Sequence, residues 1–350
     1  MTEKAYSGAA GSSTFAGSES RKYNYFEPAG RRATLYEDVT VDVQPDPSRH
    51  LLQGWIMSFA DGQPTYGEYT TSISCEDWHV FRAPDQEWSR THYQRQSHIE
   101  NTIKMVVNNA RSDGAPGRLD PAWVSVLQNH LGALKHAEFG LGVALMKAQR
   151  DGMTQMVNNA MLTNASYKLR LSQDITLYLG DIGLDIDIDG DAGKAIWMED
   201  ASWQGTRKAV EAILAATDHM EIYFAVNVVF EALVGELFRN GYIVRSGPRH
   251  NDFVTPAVIS AASEDYRRNL ANALTLFSIV TADPTGGSAN KKIMSDWLAK
   301  YVPLCLEAAD GLKAVCTNGA DYDEGLAQAK ETFGEILAEI DVTLPQGTEL

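Results

Sequence analysis

The sequence predicts an all-α protein, a bundle of long helices preceded by an extended N-terminal arm. Three observations carry this. Apolar residues recur at helical spacing from residue 92 onward, successive periodic stretches run for 20 to 30 residues, and strand-like alternation is confined to one short segment near the start. The 350 residues are 44% hydrophobic and 22% charged, the balance of an ordinary globular chain. Single cores usually stop growing near about 250–300 residues, which leaves some of this chain for work outside its own core.

Residues 1–20 are rich in Gly, Ser and Ala and show no periodicity, so disorder is expected there. Residues 21–91 read as an extended arm and irregular segment. Tyr23, Tyr25 and Phe26 sit among basic residues, and Leu35, Val39, Val41 and Val43 alternate as a strand would, up to Pro45 and Pro47. With Tyr36 and Trp55 added, an arm this aromatic is expected to pack on its own domain or on another chain.

The helical domain is expected over 92–345. Ile99, Ile103, Val106, Val107 and Ala110 form one amphipathic stripe. Asp120 before Pro121 is a start signal, a side-chain cap followed by a residue whose missing N–H costs nothing at that position. That helix is expected to reach about residue 150. Further helices are expected at about 153–180, 196–216, 218–240 (stopped by Gly241), 256–281, 289–316 and 322–340. Each spans roughly 30–45 Å at about 1.5 Å per residue.

A formal net charge of −16 and a pI near 4.9 argue against nucleic acid and anionic membrane surfaces as partners. The most apolar window, Tyr223 to Phe238, is interrupted by Asn227, Glu231 and Glu236, so it reads as a core helix. Cys305 and Cys316 are 11 residues apart in one predicted helix, about 16 Å along its axis, too far for a disulfide. Three free thiols, including Cys75, and the lack of a basic-then-apolar leader pattern point to the cytoplasm.

Long helices of this kind suggest a ferritin-like bundle, which raises the question of iron. A di-iron carboxylate site takes a Glu from each of two helices and a Glu-x-x-His from each of the other two. Of His50, His79, His92, His98, His130, His136, His219 and His250, only His79 has a Glu three residues earlier, Glu76. That pair precedes the bundle, so the site cannot be completed, and the reading is that no catalytic, cofactor-binding or metal residue resides in this chain. Carboxylates nevertheless recur at core-like positions: Glu100, Glu138, Glu231 and the pair Glu264 and Asp265. Singly each reads as a surface or paired acid; together they look like remnants of a ligand set. Where a second Glu-x-x-His would fall stand Arg267 and Arg268, whose guanidinium has no lone pair for iron but can neutralise a buried carboxylate.

Two other motifs read as loops. Asp185, Asp187, Asp189 and Gly190 resemble the start of a calcium loop, but the twelfth position is Ile196 where a bidentate Glu is needed. Asp283-Pro-Thr-Gly-Gly-Ser288 has no strand before it and no Lys-Ser/Thr after it, so it is an interhelical turn.

The stretch from Arg21 to Arg32 (Arg-Lys-Tyr-Asn-Tyr-Phe-Glu-Pro-Ala-Gly-Arg-Arg), then Trp78-His-Val-Phe-Arg82-Ala-Pro84-Asp-Gln-Glu-Trp88, then the helix from about His92, resemble the small (beta) subunit of bacterial soluble diiron monooxygenases. The likeness runs to about residue 340 and is nearest the propane and tetrahydrofuran group. Ala83 stands where many relatives carry Asp. The resemblance implies a ferritin-like fold in a heterohexameric hydroxylase built around two copies each of a large and a small subunit. It implies a diiron centre in the large (alpha) subunit only, a coupling protein, and an NADH-dependent reductase with FAD and a 2Fe–2S cluster. The function it implies is support of NADH- and O2-dependent hydroxylation of propane or a similar short alkane or cyclic ether, by organising the catalytic subunit. Rival readings are an autonomous ferritin-like oxidase with unusual ligands, a toluene-, phenol- or alkene-type small subunit, and a plain helical scaffold.

Overall fold

The computed structural model describes residues 33–41, 71–316, 319–348 and 350. Among these there is no strand. The expectations placed on residues 1–20, on Tyr23, Tyr25, Phe26 and Trp55, and on His50 lie outside the described residues.

Helix α1 (Leu35–Val41) replaces the predicted strand. Its first turn is closed reciprocally, Glu37 N–H donating to Thr34 Oγ1 and Thr34 N–H to Glu37 Oε2 at 2.9 Å. This capping box fixes a helix that alternation alone does not reveal. The helix docks on the segment that follows: Ala83 N–H donates to Tyr36 Oη, and Arg82 Nε lies 2.7 Å from Glu37 Oε1. The Trp78–Trp88 stretch is therefore the seat of α1.

Helix α2 (Ser89–Ser112) turns the predicted stripe inward, with Val107 buried and Ile99, Ile103, Val106 and Ala110 half-buried, and the buried His92 and Gln96 extend it towards the N-terminus. Helix α3 (Pro121–Val126) starts at Asp120, whose carboxylate accepts the Ala122 N–H at 3.0 Å. It passes through a π-turn at Leu127–Leu131 into α4 (Gly132–Gln149). Helix α5 (Gln155–Ile182), capped by Thr154, returns antiparallel along the length of α4. The predicted helix 196–216 is two, α6 (Ala192–Glu199) and α7 (Ala201–Ala215). Asp200 is extended there and caps α7 by accepting the Ser202 N–H at 2.9 Å.

Helix α8 (His219–Phe224) runs into two π-helical stretches, Ala225–Gly235 and Leu237–Val244, joined at Glu236. It does not stop at Gly241. It passes close to Gly325 of a later helix, where an added Cβ would fall 4.0 Å from the Gly241 Cα. The chain turns instead after Gly247–His250, where Asn251 takes the left-handed conformation at φ 62°. Helices α9 (Val254–Thr281), α10 (Gly287–Lys313) and α11 (Gly319–Glu339) complete the fold.

The inner four-helix unit is α4, α5, the π-wound helix and α9, with α7, α10 and α11 packed outside it. One continuous core runs through both layers. Trp203 meets Phe238 edge-on with ring centres 5.2 Å apart, and Phe224 meets Phe277 at 5.1 Å. Among the described residues no helix is long and apolar enough to cross a membrane. Cys75, Cys305 and Cys316 are all unpaired.

A closed ring of charges at the bundle centre

Each inner helix sends a polar side chain to the middle of the bundle. Glu138 comes from α4, Lys168 from α5, Glu231 and Arg239 from the π-wound helix, and Asp265, Tyr266 and Asn269 from α9. Four of these form a ring of alternating sign. Lys168 Nζ lies 2.8 Å from Glu138 Oε2 and also pairs with Glu231 Oε1. Arg239 Nη1 lies 2.6 Å from Glu138 Oε1, and its Nη2 pairs with Glu231 Oε2. Every carboxylate oxygen of the ring thus faces a cation. Glu138, Glu231 and Arg239 have no exposed surface at all.

The winding of the helix carries this geometry. Glu231 and Arg239 are eight residues apart, and Glu236 between them receives Arg239 Nη2 at 2.7 Å. Gly235 makes room: a Cβ there would stand 2.8 Å from both Glu231 oxygens. Burial works to raise the Glu231 pKa, but the charges of Arg239 and then Lys168 outweigh it and hold the carboxyl down, to about 2. The same carboxylates hold Arg239 protonated against its own burial. Beside the ring is a cavity of about 10 Å³, on the scale of one water, bordered by Asn164, Tyr266 and Asn269.

A second network joins the ring to the segment before α2. The Tyr167 hydroxyl donates to Glu87, 2.6 Å from its Oε2, and Arg95 Nη2 lies 2.6 Å from Asp265 Oδ1. Arg170 pairs with the other Asp265 oxygen. Arg268 belongs here too: its Nη2 is 3.2 Å from both Asp85 Oδ2 and Glu87 Oε1.

Of the carboxylates singled out in the sequence, Glu138, Glu231 and Asp265 are buried at the centre, whereas Glu100 and Glu264 are exposed. Arg267 is also exposed and pairs with Glu264 at 2.8 Å. Arg268 reaches buried carboxylates, but on the segment before α2, and the neutralising role at the centre falls to Lys168 and Arg239. Sequence reasoning missed both. The available signal for Lys168 was its place on the buried stripe Asn164, Lys168, Leu171 and Ile175 of α5. Glu76 and His79 lie on the outer segment, where Glu76 N–H donates to Asp283. The acidic loop is exposed and its acids have partners: Asp185 pairs with Arg111 of α2 at 2.5 Å, and Asp189 accepts the Asp191 N–H within the loop. Asp283 caps its own turn, accepting from Thr285 and Gly286.

The donor set does not fit a di-iron centre. The α9 position of a Glu-x-x-His is filled by Asp265 and Arg268, that of α5 by Lys168 and Leu171, and neither supplies an imidazole. Among the described residues no three His, Cys, Asp or Glu side chains converge as a metal would need.

A ferritin-like bundle whose centre is closed by its own ion pairs is the class that fold and site define. The family model of the methane/phenol/alkene hydroxylases matches residues 55–284, and the chain belongs to this family. It is 40% identical to the propane 2-monooxygenase hydroxylase component small subunit of Mycolicibacterium smegmatis, over 96% of this chain and 93% of that one. It is 27% identical to the methane monooxygenase component A beta chain of Methylosinus trichosporium, over 81% of this chain and 74% of that one. In fold it is similar to the xenon-pressurized phenol hydroxylase from Pseudomonas sp. OX1, with a TM-score of 0.77, 18% identity, and 91% and 93% of the two chains covered.

Proposed function

We propose that this chain is the non-catalytic small subunit of a hydroxylase acting on propane or a similar short alkane or cyclic ether, and that it organises a larger catalytic subunit. The observation that carries the reading is the end-to-end likeness, 37–40% over at least 95% of the chain, to four small subunits of propane 2-monooxygenase. Phenol 2-monooxygenase components are more distant, 24% identical, which favours the propane-type reading over the phenol type. The charge ring supports it from inside, because its carboxylates are committed to Lys168 and Arg239.

On this reading the diiron centre belongs to the large subunit, a coupling protein and an NADH-dependent flavin and iron–sulfur reductase complete the system, and the setting is the cytoplasm. Affinity capture of the tagged chain from its native cells, followed by mass spectrometry, tests it. The expected partner is a larger chain bearing two Glu-x-x-His motifs. Recovery of the chain alone, with bound iron and oxidase activity, would favour the autonomous oxidase instead.

A further inference from the structure

We infer that the cavity between the C-terminal ends of α2 and α5 is a binding site for an uncharged, mostly apolar small molecule larger than benzene. The site goes beyond the small-subunit reading and does not depend on it. The cavity has a volume of about 430 Å³, whereas those beside the ring and beside Tyr242 have about 10 Å³ each. Ligand sites usually lie at about 300–1,000 Å³, and an apolar cavity of about 150 Å³ already accepts benzene.

The walls are held open by the protein itself. Val107, Pro116, Tyr178 and Ile182 are buried and form the inner part, while Ala110 and Ala115 offer only methyl groups beside them. Two turns make the rim. Gly114, left-handed at φ 69°, ends α2, and the Ala115 N–H closes on the Ala110 carbonyl at 2.9 Å. Arg118 clamps the same turn, its Nη1 donating to the Asp113 carbonyl and its Nη2 to Asp113 Oδ2, both at 2.6 Å. On the other side Asn251 is left-handed too, and the buried Asp252 accepts the Val254 and Thr255 N–H groups at the start of α9. Asn251 and Phe253 stand exposed at the mouth.

The charges in the lining select against a charged ligand. There are four, and each has a counterpart in the protein. Arg118 pairs with Asp113 and Arg111 with Asp185, while Asp252 accepts the Trp123 Nε1–H at 2.8 Å and the Thr255 hydroxyl. Because Thr255 gives its proton to Asp252, the Tyr178 hydroxyl donates its own to Thr255, at 2.7 Å. A charged ligand would lose its hydration against Val107 and Ile182 and find no unpaired counter-charge in return. An uncharged apolar one loses little and is driven in by the surface it removes from water.

Calorimetric titration of the full chain with naphthalene tests the inference, with benzene and naphthalene-2,6-dicarboxylate as comparisons. The dicarboxylate carries a charge at each end, so one must enter whichever end leads. Ala110→Phe fills the cavity from α2 and Ala115→Phe from the turn, whereas Phe139→Ala removes an exposed ring elsewhere, on α4. The inference predicts saturable binding of one naphthalene per chain, at least about tenfold tighter than benzene or the dicarboxylate. It predicts at least about a tenfold loss in both filled variants at unchanged helicity, and none in Phe139→Ala. Should both filled variants lose helicity, the order of the three ligands on the wild type decides alone. No saturable binding of naphthalene overturns the site. Binding as tight in the folded filled variants, or as tight for the dicarboxylate, places the molecule elsewhere and overturns it too. Benzene bound as tightly as naphthalene contradicts the size assigned to the ligand.

Discussion

Lys168 Nζ stands 2.8 Å from Glu138 Oε2 while pairing with Glu231, so one ammonium spans two carboxylates from two helices. Arg239 closes the same pair from the other side. Buried ion pairs add little net stability when complete, because desolvation offsets the attraction, but breaking one strands a charge. Arg239→Met is therefore expected to cost about 3–5 kcal/mol, whereas replacing Glu138, Lys168, Glu231 and Arg239 together by Leu or Met is expected to be neutral or stabilising by about 1–4 kcal/mol. Chemical denaturation of both variants checks this. A single variant as stable as the wild type would show that the ring is not the closed unit described.

Gly235 tests the geometry from the backbone. Its added Cβ would meet both oxygens of a carboxylate that Arg239 and Lys168 hold in place. Gly235→Ala should cost roughly 1–3 kcal/mol by overpacking. The penalty should shrink in a Glu231→Gly background, since the crowded side chain is then gone, and a double-mutant cycle without coupling would refute the contact.

The pH dependence has two components of opposite sign. Glu231 is held down to about 2 by Arg239 and Lys168 despite its burial. A lowered folded pKa contributes stability present above the ordinary value of about 4.3 and lost as pH falls towards 2. Asp174 is the reverse case, raised to about 6 chiefly by burial. Its contribution is complete below about 3.9 and is lost as pH rises through 6. Asp174→Asn should thus stabilise the protein at pH 7 by about 1–3 kcal/mol and flatten the stability profile between pH 4 and 6. Urea midpoints at stepped pH decide it, and an unchanged slope in that window would contradict the assignment.

The N-terminal arm is expected to add to assembly. Its aromatic residues lack the periodicity to fold alone, and obligate interfaces of about 2,000–5,000 Å2 often draw on such segments. Deleting residues 1–20 should leave the complex intact. Deleting 1–45 also removes α1, with its Tyr36 and Glu37 contacts to Ala83 and Arg82, and should yield a folded bundle that binds the large subunit poorly. Size-exclusion chromatography of co-expressed subunits measures both, and normal assembly of the longer truncation would assign the interface to the helices alone.

The long helices were legible because apolar period and side-chain caps agree: Asp120 with Pro121 and the α2 stripe lie where the sequence places them. What escaped depends on contacts that no short window holds. Thr34 and Glu37 carry a capping-box signature that the Leu35–Val43 alternation concealed. Gly241 reads locally as a helix stop, yet the π-helical stretch runs through it to Val244. The ring was half legible. Glu138, Glu231 and Asp265 stood out as acids on apolar faces, but their cationic partners lie on other turns or helices. Arg239 stands eight residues from Glu231, beyond the i+3 and i+4 neighbours that a local reading pairs.

The central claim is that this bundle is closed by its own charges and serves a partner that holds the metal. Elemental analysis of the purified chain, with and without the co-purified large subunit, tests it most directly. The account predicts substoichiometric iron in the isolated chain and iron that tracks the large subunit in the complex. Two irons per isolated chain, lost when Glu138 and Glu231 are replaced, would contradict it.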